Sequence, residues 1–162
     1  MTENEVKIGK HYLYPSNIFV SENPFIVTTV LGSCISVCLF DYKNMVGGIN
    51  HFMLPLWNGE GLASAKYGNI AMERLIGHMI RKGAHKESIQ AKLFGGANLV
   101  NLSMNVGERN ADIAKKILEQ EGIKIIAESI GGTQGRKILF DTSNGSVHMR
   151  YIKQTHDLRH KI

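Results

Sequence analysis

Apolar and polar positions along this chain fall into short blocks punctuated by glycine, asparagine and proline. Phe25 to Leu31 and Cys34 to Phe40 are rich in Val, Ile, Phe and Thr, residues that suit a pleated strand. Gly32 and Ser33 separate them, so the pair reads as strand, tight turn, strand. Both runs are apolar on two faces, the pattern of strands buried between layers. After the turn-like Asp41 to Asn44, a third apolar run from Met45 to Leu54 contains Gly47, Gly48 and His51 and stops at Pro55. Leu56 to Tyr67 then becomes polar and small, with Gly59 and Gly61, and is expected to form a mobile loop beside a site.

The period then changes. Ile70, Leu75, Ile76, Met79 and Ile80 approximate helical spacing, with Asn69 as the expected cap and Gly83 as the stop. A buried strand from Ile89 to Phe94 runs into Gly95 and Gly96. The loop Asn105 to Arg109 leads to a second helix with Asn110 as its expected cap and Ile113, Ala114, Ile117 and Leu118 as its core stripe. Asp112 and Lys116 make a favourable pair four residues apart, and Gly122 ends the helix. A strand over Ile123 to Glu128 should follow. Lys137 to Asp141 and Ser146 to Tyr151 flank Asn144 and Gly145, a pair that tolerates positive φ at both central positions of a hairpin turn. Three strands, a helix, a strand, a helix and three strands mix local hairpins with longer crossovers, which favours a mixed or antiparallel sheet.

Length and composition add boundaries. A chain of 162 residues, 43% hydrophobic, fits a single domain that builds its own core, here residues 1–153, followed by a polar tail over 154–162. Met1 to Tyr12 carries Glu3, Glu5, Lys7 and Lys10 and lacks the apolar stretch of a secretory signal, so a cytoplasmic location is expected. Phe25 to Phe40 is interrupted by Thr28, Thr29, Gly32, Ser33 and Ser36, and no membrane insertion is expected. The net charge of +5 owes part of its size to Arg159 and Lys161 in the tail, and with 7% aromatic residues lying mostly in apolar runs a nucleic-acid partner is not expected.

The chemistry rests on two cysteines and seven histidines. On a strand, Cys34 and Cys38 lie roughly 13 Å apart at about 3.3 Å per residue, too far for a disulfide. There is no C-x-x-C pair, so no structural metal and no cofactor is expected. Cys34 follows Gly32 and Ser33, small residues that let the chain turn sharply and present an amide beside the sulfur. Cys38 sits mid-strand between Val37 and Leu39 and reads as a small buried hydrophobe. His11, His156 and His160 lie near the termini, and His78, His85 and His148 fall on expected surface positions. His51 is embedded in an apolar strand: position alone leaves it either a satisfied core residue or a base for a thiol.

Several motifs in order go further: Thr28 followed by LGSC at Leu31 to Cys34, NHFMLP at Asn50 to Pro55, KYGNIAMERLI at Lys66 to Ile76, KLFGGAN at Lys92 to Asn98, and NVGERN at Asn105 to Asn110. From about Lys7 to Ile152 this closely resembles the chemoreceptor glutamine deamidase (CheD) family. The resemblance implies an α/β fold, a mixed-sheet α/β sandwich with two main helices packed on β layers, similar to the deamidating-toxin cysteine hydrolases. It implies a catalytic set of Cys34, His51 and Thr28, with Gly32 and Ser33 near the oxyanion and the substrate. Family spacing assigns Thr28; a one-residue slip would exchange it for Thr29, whose hydroxyl points to the other face. The implied function is deamidation of glutamines on methyl-accepting chemotaxis receptors through a cysteine thioester, in chemotactic adaptation. Hydrolysis of glutamate methyl esters is a second reaction by the same steps, and a CheC-type phosphatase is the implied regulatory partner. Three other classes compete: a transglutaminase, a binding regulator without activity, and a redox or metal protein.

Overall fold

The structure, a computed structural model, describes residues 7–100 and 105–153; the expected tail over 154–162 lies outside the described residues. In chain order the elements are β1 (Gly9–Tyr12), β2 (Ile18–Ser21), β3 (Phe25–Leu31), β4 (Ile35–Asp41), β5 (Val46–Asn50), α1 (Gly68–Arg81), β6 (Ile89–Gly95), α2 (Val106–Gln120), β7 (Lys124–Ile130), β8 (Arg136–Asp141) and β9 (Val147–Tyr151). They form two sheets, one ordered β1-β3-β8-β9 and the other β2-β5-β4-β6-β7. Each contains one parallel pair, β1 with β3 and β6 with β7, and is otherwise antiparallel. The result is a mixed-sheet α/β sandwich with two main helices on one side.

Two apolar cores separate three layers. Val37, Leu39, Leu93, Met72, Leu75, Ala114 and Leu118 pack the five-stranded sheet against the helices. Leu13, Val27, Leu31, Cys38, Ile49, Phe94, Ile138 and Phe140 fill the space between the sheets. Strand β4 therefore has a core on each side, which explains its unbroken apolar run. Its odd positions, Ile35, Val37 and Leu39, face the helices; Cys34 and Cys38 face the other sheet.

Several local expectations change in three dimensions. Strands β3 and β4 are not hairpin partners, because the turn between them carries the chain from one sheet into the other. Strands β1 and β2 are short and carry no clear apolar alternation; they form because β3 and β5 offer ladder partners. Helix α2 starts one turn earlier than the sequence suggested, with Asn105 as its cap, whose side chain accepts the Glu108 N–H at 3.0 Å. Asn110 is thus inside the helix. Asn69 does not cap α1 either: the residue before the helix is Tyr67, and the Asn69 carboxamide instead accepts the Trp57 N–H at 3.0 Å. In the β8–β9 hairpin only Gly145 takes a positive φ, 78°, and its N–H reaches the Asp141 carbonyl at 2.8 Å, so the connection is wider than a two-residue turn.

Helix α2 is seated directly on the exit from β6. A Cβ on Gly107 would stand 2.3 Å from the Gly96 carbonyl oxygen and 2.7 Å from that of Ala97, contacts that backbone cannot relieve cheaply. Gly107→Ala is expected to lower stability by about 1–3 kcal/mol, the usual range for overpacking. A fall in the urea unfolding midpoint at an unchanged m-value would register it.

Candidate functional site

The turn that changes sheets is held by its carbonyls. Gly32 C=O accepts the Ala97 N–H at 3.0 Å and Cys34 C=O accepts the Gly96 N–H at 2.9 Å. Between them Ser33 C=O accepts the Asn110 side-chain amide, also at 3.0 Å. The close approach requires glycine: at Gly95, with φ of 109°, a Cβ would lie 2.2 Å from the Cys34 carbonyl oxygen. A trans peptide points each N–H opposite the preceding carbonyl. With the Gly32 and Ser33 carbonyls bound to Ala97 and Asn110, the N–H groups of Ser33 and Cys34 point away from those partners. Cys34 itself is half-buried.

His51 reaches the same face through one bridge. Ile35 and Phe52 exchange both backbone hydrogen bonds, at 3.1 and 3.0 Å, at the offset that also pairs Cys38 with Ile49. The side chains of Ile35 and Phe52 face the helices. Cys34 and His51, each one residue earlier, therefore face the space between the sheets as diagonal neighbours, Cα atoms about 7–8 Å apart in such a pair. His51 is 2% exposed.

The imidazole is oriented by Thr29, not Thr28. Thr29 Oγ1 lies 2.7 Å from His51 Nδ1 and donates to the Leu13 carbonyl at 2.7 Å. A hydroxyl has one proton; with that proton on Leu13 O, Oγ1 accepts from His51, which fixes the Nδ1–H tautomer. Nε2 then carries the lone pair, and among the described residues it is buried without a hydrogen-bond partner. Thr28 projects to the opposite face of its sheet beside Tyr12, Lys137 and Leu139, because side chains alternate along a strand. Thr28, which family spacing assigns, thus does not meet His51, and Thr29 does, the one-residue slip that the adjacent threonines leave open.

Burial favours the neutral form of both side chains. It pushes the His51 pKa down to about 4 and the Cys34 thiol up, against a smaller lowering from the Cys34 amide. Fully buried Cys38 is pushed higher still by desolvation, with Lys92 opposing weakly. The structure thus brings Gly32, Ser33, Cys34 and His51 to one region and leaves Thr28 on the other face of its sheet; Cys38 shares the inter-sheet face with Cys34 but is fully buried where Cys34 is half-buried. Among the described residues no three His, Cys, Asp or Glu side chains are grouped to hold a metal ion, and no helix is long and apolar enough to cross a membrane. Sequence reasoning held Thr29 only as the alternative to Thr28 and did not place Leu13 or Asn110 at the site, since neither a backbone carbonyl nor an asparagine inside a helix signals such a contact.

An α/β sandwich that presents a cysteine on a sheet-crossing turn, diagonal to a buried histidine of fixed tautomer, defines a class of thiol–imidazole site. Comparison with known proteins makes it particular. The model for the family described as CheD chemotactic sensory transduction matches residues 53–151, and the chain belongs to that family. Among its relatives are proteins named probable chemoreceptor glutamine deamidase CheD from three bacteria. That of Sulfurimonas denitrificans is 47% identical over 90% of this chain and 96% of its own length. That of Trichlorobacter lovleyi is 49% identical over 91% and 93%, and that of Hahella chejuensis 40% identical over 90% and 71%. Matches of this extent necessarily span positions 28 to 51. Solved structures with partial likeness are the hypothetical protein YfiH of Bacillus licheniformis (TM-score 0.48, 16% identity, 69% of this chain and 49% of that one) and a Neisseria meningitidis protein (TM-score 0.48, 13% identity, 78% and 64%).

Two measurements check the geometry. Between pH 6.5 and 4 the unfolded chain binds a proton at His51 that the folded chain does not. Stability is therefore complete above that window and falls as the pH drops through it, by on the order of 3 kcal/mol. Urea unfolding across the range should show this slope in the wild type and a shallower one in His51→Gln. Nitrogen-15 NMR should report the Nδ1–H tautomer, lost as the dominant form in Thr29→Val and kept in Thr28→Val.

Proposed function

We propose that this protein deamidates glutamine side chains of chemoreceptors, with Cys34 as nucleophile, His51 as its base and Thr29 as the residue that orients the base. The observation that carries the reading is Nε2 of His51, buried without a hydrogen-bond partner among the described residues, on the face it shares with the half-buried Cys34. The names of the relatives supply the reaction and the substrate.

With thiol and imidazole both neutral, the pair is not a standing ion pair, and the proton moves as the bond forms. His51 Nε2 takes the Cys34 proton while the sulfur attacks the carboxamide carbon. The Ser33 and Cys34 N–H groups receive the developing oxyanion. The imidazolium returns its proton to the departing ammonia as the C–N bond breaks, and a thioester remains. Water, deprotonated by His51, attacks that carbonyl; the C–S bond breaks, leaving glutamate on the receptor and the thiol on the enzyme. Thr29 is a neutral partner that steadies an imidazolium less than a carboxylate would, which suffices for a nucleophile that ionises more readily than serine. A glutamate methyl ester would follow the same course with methanol leaving. The role in adaptation and a CheC-type phosphatase as regulator belong to the same proposal and rest on the family resemblance.

Cys34→Ala is expected to fold normally and to lose ammonia release from receptor fragments by at least about 10⁴-fold, as when a nucleophile is removed from other such sites. Cys38→Ala should turn over as the wild type does. Mass spectrometry of the fragments should show a gain of about one dalton per site, the difference between amide and acid. Equal activity in the two variants, or fragments joined to an amine, would overturn the reading.

A further inference from the structure

We propose that Asn110 is a positioning residue of the site, one carboxamide that holds the turn of Cys34 and the strand of His51 at a set separation. The inference rests on the reading of Cys34 and His51 as the reacting pair. Asn110 is fully buried, at 0% exposure, one turn into α2. Its Nδ2 donates at 3.0 Å to the carbonyl of Ser33, the residue before Cys34, and at 3.0 Å to the carbonyl of Met53, two residues beyond His51.

These two acceptors lie where the strands are least supported. The Ile35–Phe52 bridge joins the two segments once; beyond it the Met53 N–H turns to the Lys66 carbonyl at 2.8 Å and the Cys34 carbonyl to the Gly96 N–H at 2.9 Å. Asn110 spans the gap between the diverging chains. Both hydrogens of one planar NH₂ are used, so the span of the two carbonyls is set by a rigid group. The base of that group is equally fixed, because Gly107 packs against the Gly96 and Ala97 carbonyls. The two carbonyl acceptors fix the amide the other way as well: its Oδ1 is buried and has no hydrogen-bond partner among the described residues. An asparagine inside a helix with an unpaired oxygen is a poor choice for stability, and the paired donation is what the position gains by it.

The test compares Asn110→Asp, which keeps the shape and loses the donors, with Asn110→Ala, which loses both. Ammonia release from receptor fragments is measured with KM and kcat separated, alongside thermal unfolding and the pH profile of Cys34 alkylation by iodoacetamide. The folded population of each variant should keep KM within about threefold and lose kcat by about 10²-fold, the scale of a misplacement near 1 Å. The alkylation profile should lose the inflection contributed by His51. A loss of activity that follows only the loss of folded protein, the folded remainder turning over at the wild-type kcat with an unchanged alkylation profile, would overturn the inference. If Cys34→Ala still releases ammonia, the reading of the site falls; if Cys34→Ala is silent and the Asn110 variants perform as the wild type, only the role of Asn110 falls.

Discussion

The structure depends on one constraint: between Leu31 and Ile35 the chain must leave one sheet and enter the other within three residues. Such a crossing strands backbone groups at the edge of two cores, where unpaired carbonyls are costly. The solution takes all three carbonyls inward, onto Ala97, Asn110 and Gly96. The glycines at 95, 96 and 107 let the β6 exit and the start of α2 approach closely enough to provide these partners. Packing needs alone thus produce an outward-facing pair of amides next to a thiol.

The same economy of polar groups governs the histidine. In a largely apolar space between the sheets, His51 has one nitrogen bound to Thr29 and the other without a hydrogen-bond partner among the described residues. The Leu13 carbonyl settles which is which by claiming the only proton of the Thr29 hydroxyl. Leu13 follows β1, Thr29 is on β3 and His51 follows β5, so the tautomer of the imidazole depends on the two sheets being docked. Burial then holds imidazole and thiol neutral. On the proposed reading, such a site stores its reactivity in geometry rather than in a standing charge.

Much of this was legible in the chain. The apolar runs that became β3, β4 and β6 and the periodic stripe of α2 stand out because each satisfies a local pattern whatever it packs against. Cys34 was separable from Cys38 by its small neighbours, and His51 by its apolar setting. The short strands β1 and β2 were not legible, since four residues of mixed polarity form a strand only when an edge is offered. The helix caps at Asn69 and Asn110 were misplaced for a related reason: an asparagine side chain bonds whichever backbone group is free nearby, and the nearest one is a matter of tertiary packing.

By itself the sequence determined the apolar runs, the family motifs with the α/β class they imply, and the candidate thiol and imidazole, because residue type and period are local properties. Only the tertiary structure decided that β3 and β4 belong to different sheets, that Thr29 rather than Thr28 meets His51, and that an asparagine of α2 ties the two halves of the site together. Strand alternation turns a one-residue difference into opposite faces of a sheet, and hydrogen bonds between residues as distant as Ser33 and Asn110 leave no trace in local pattern.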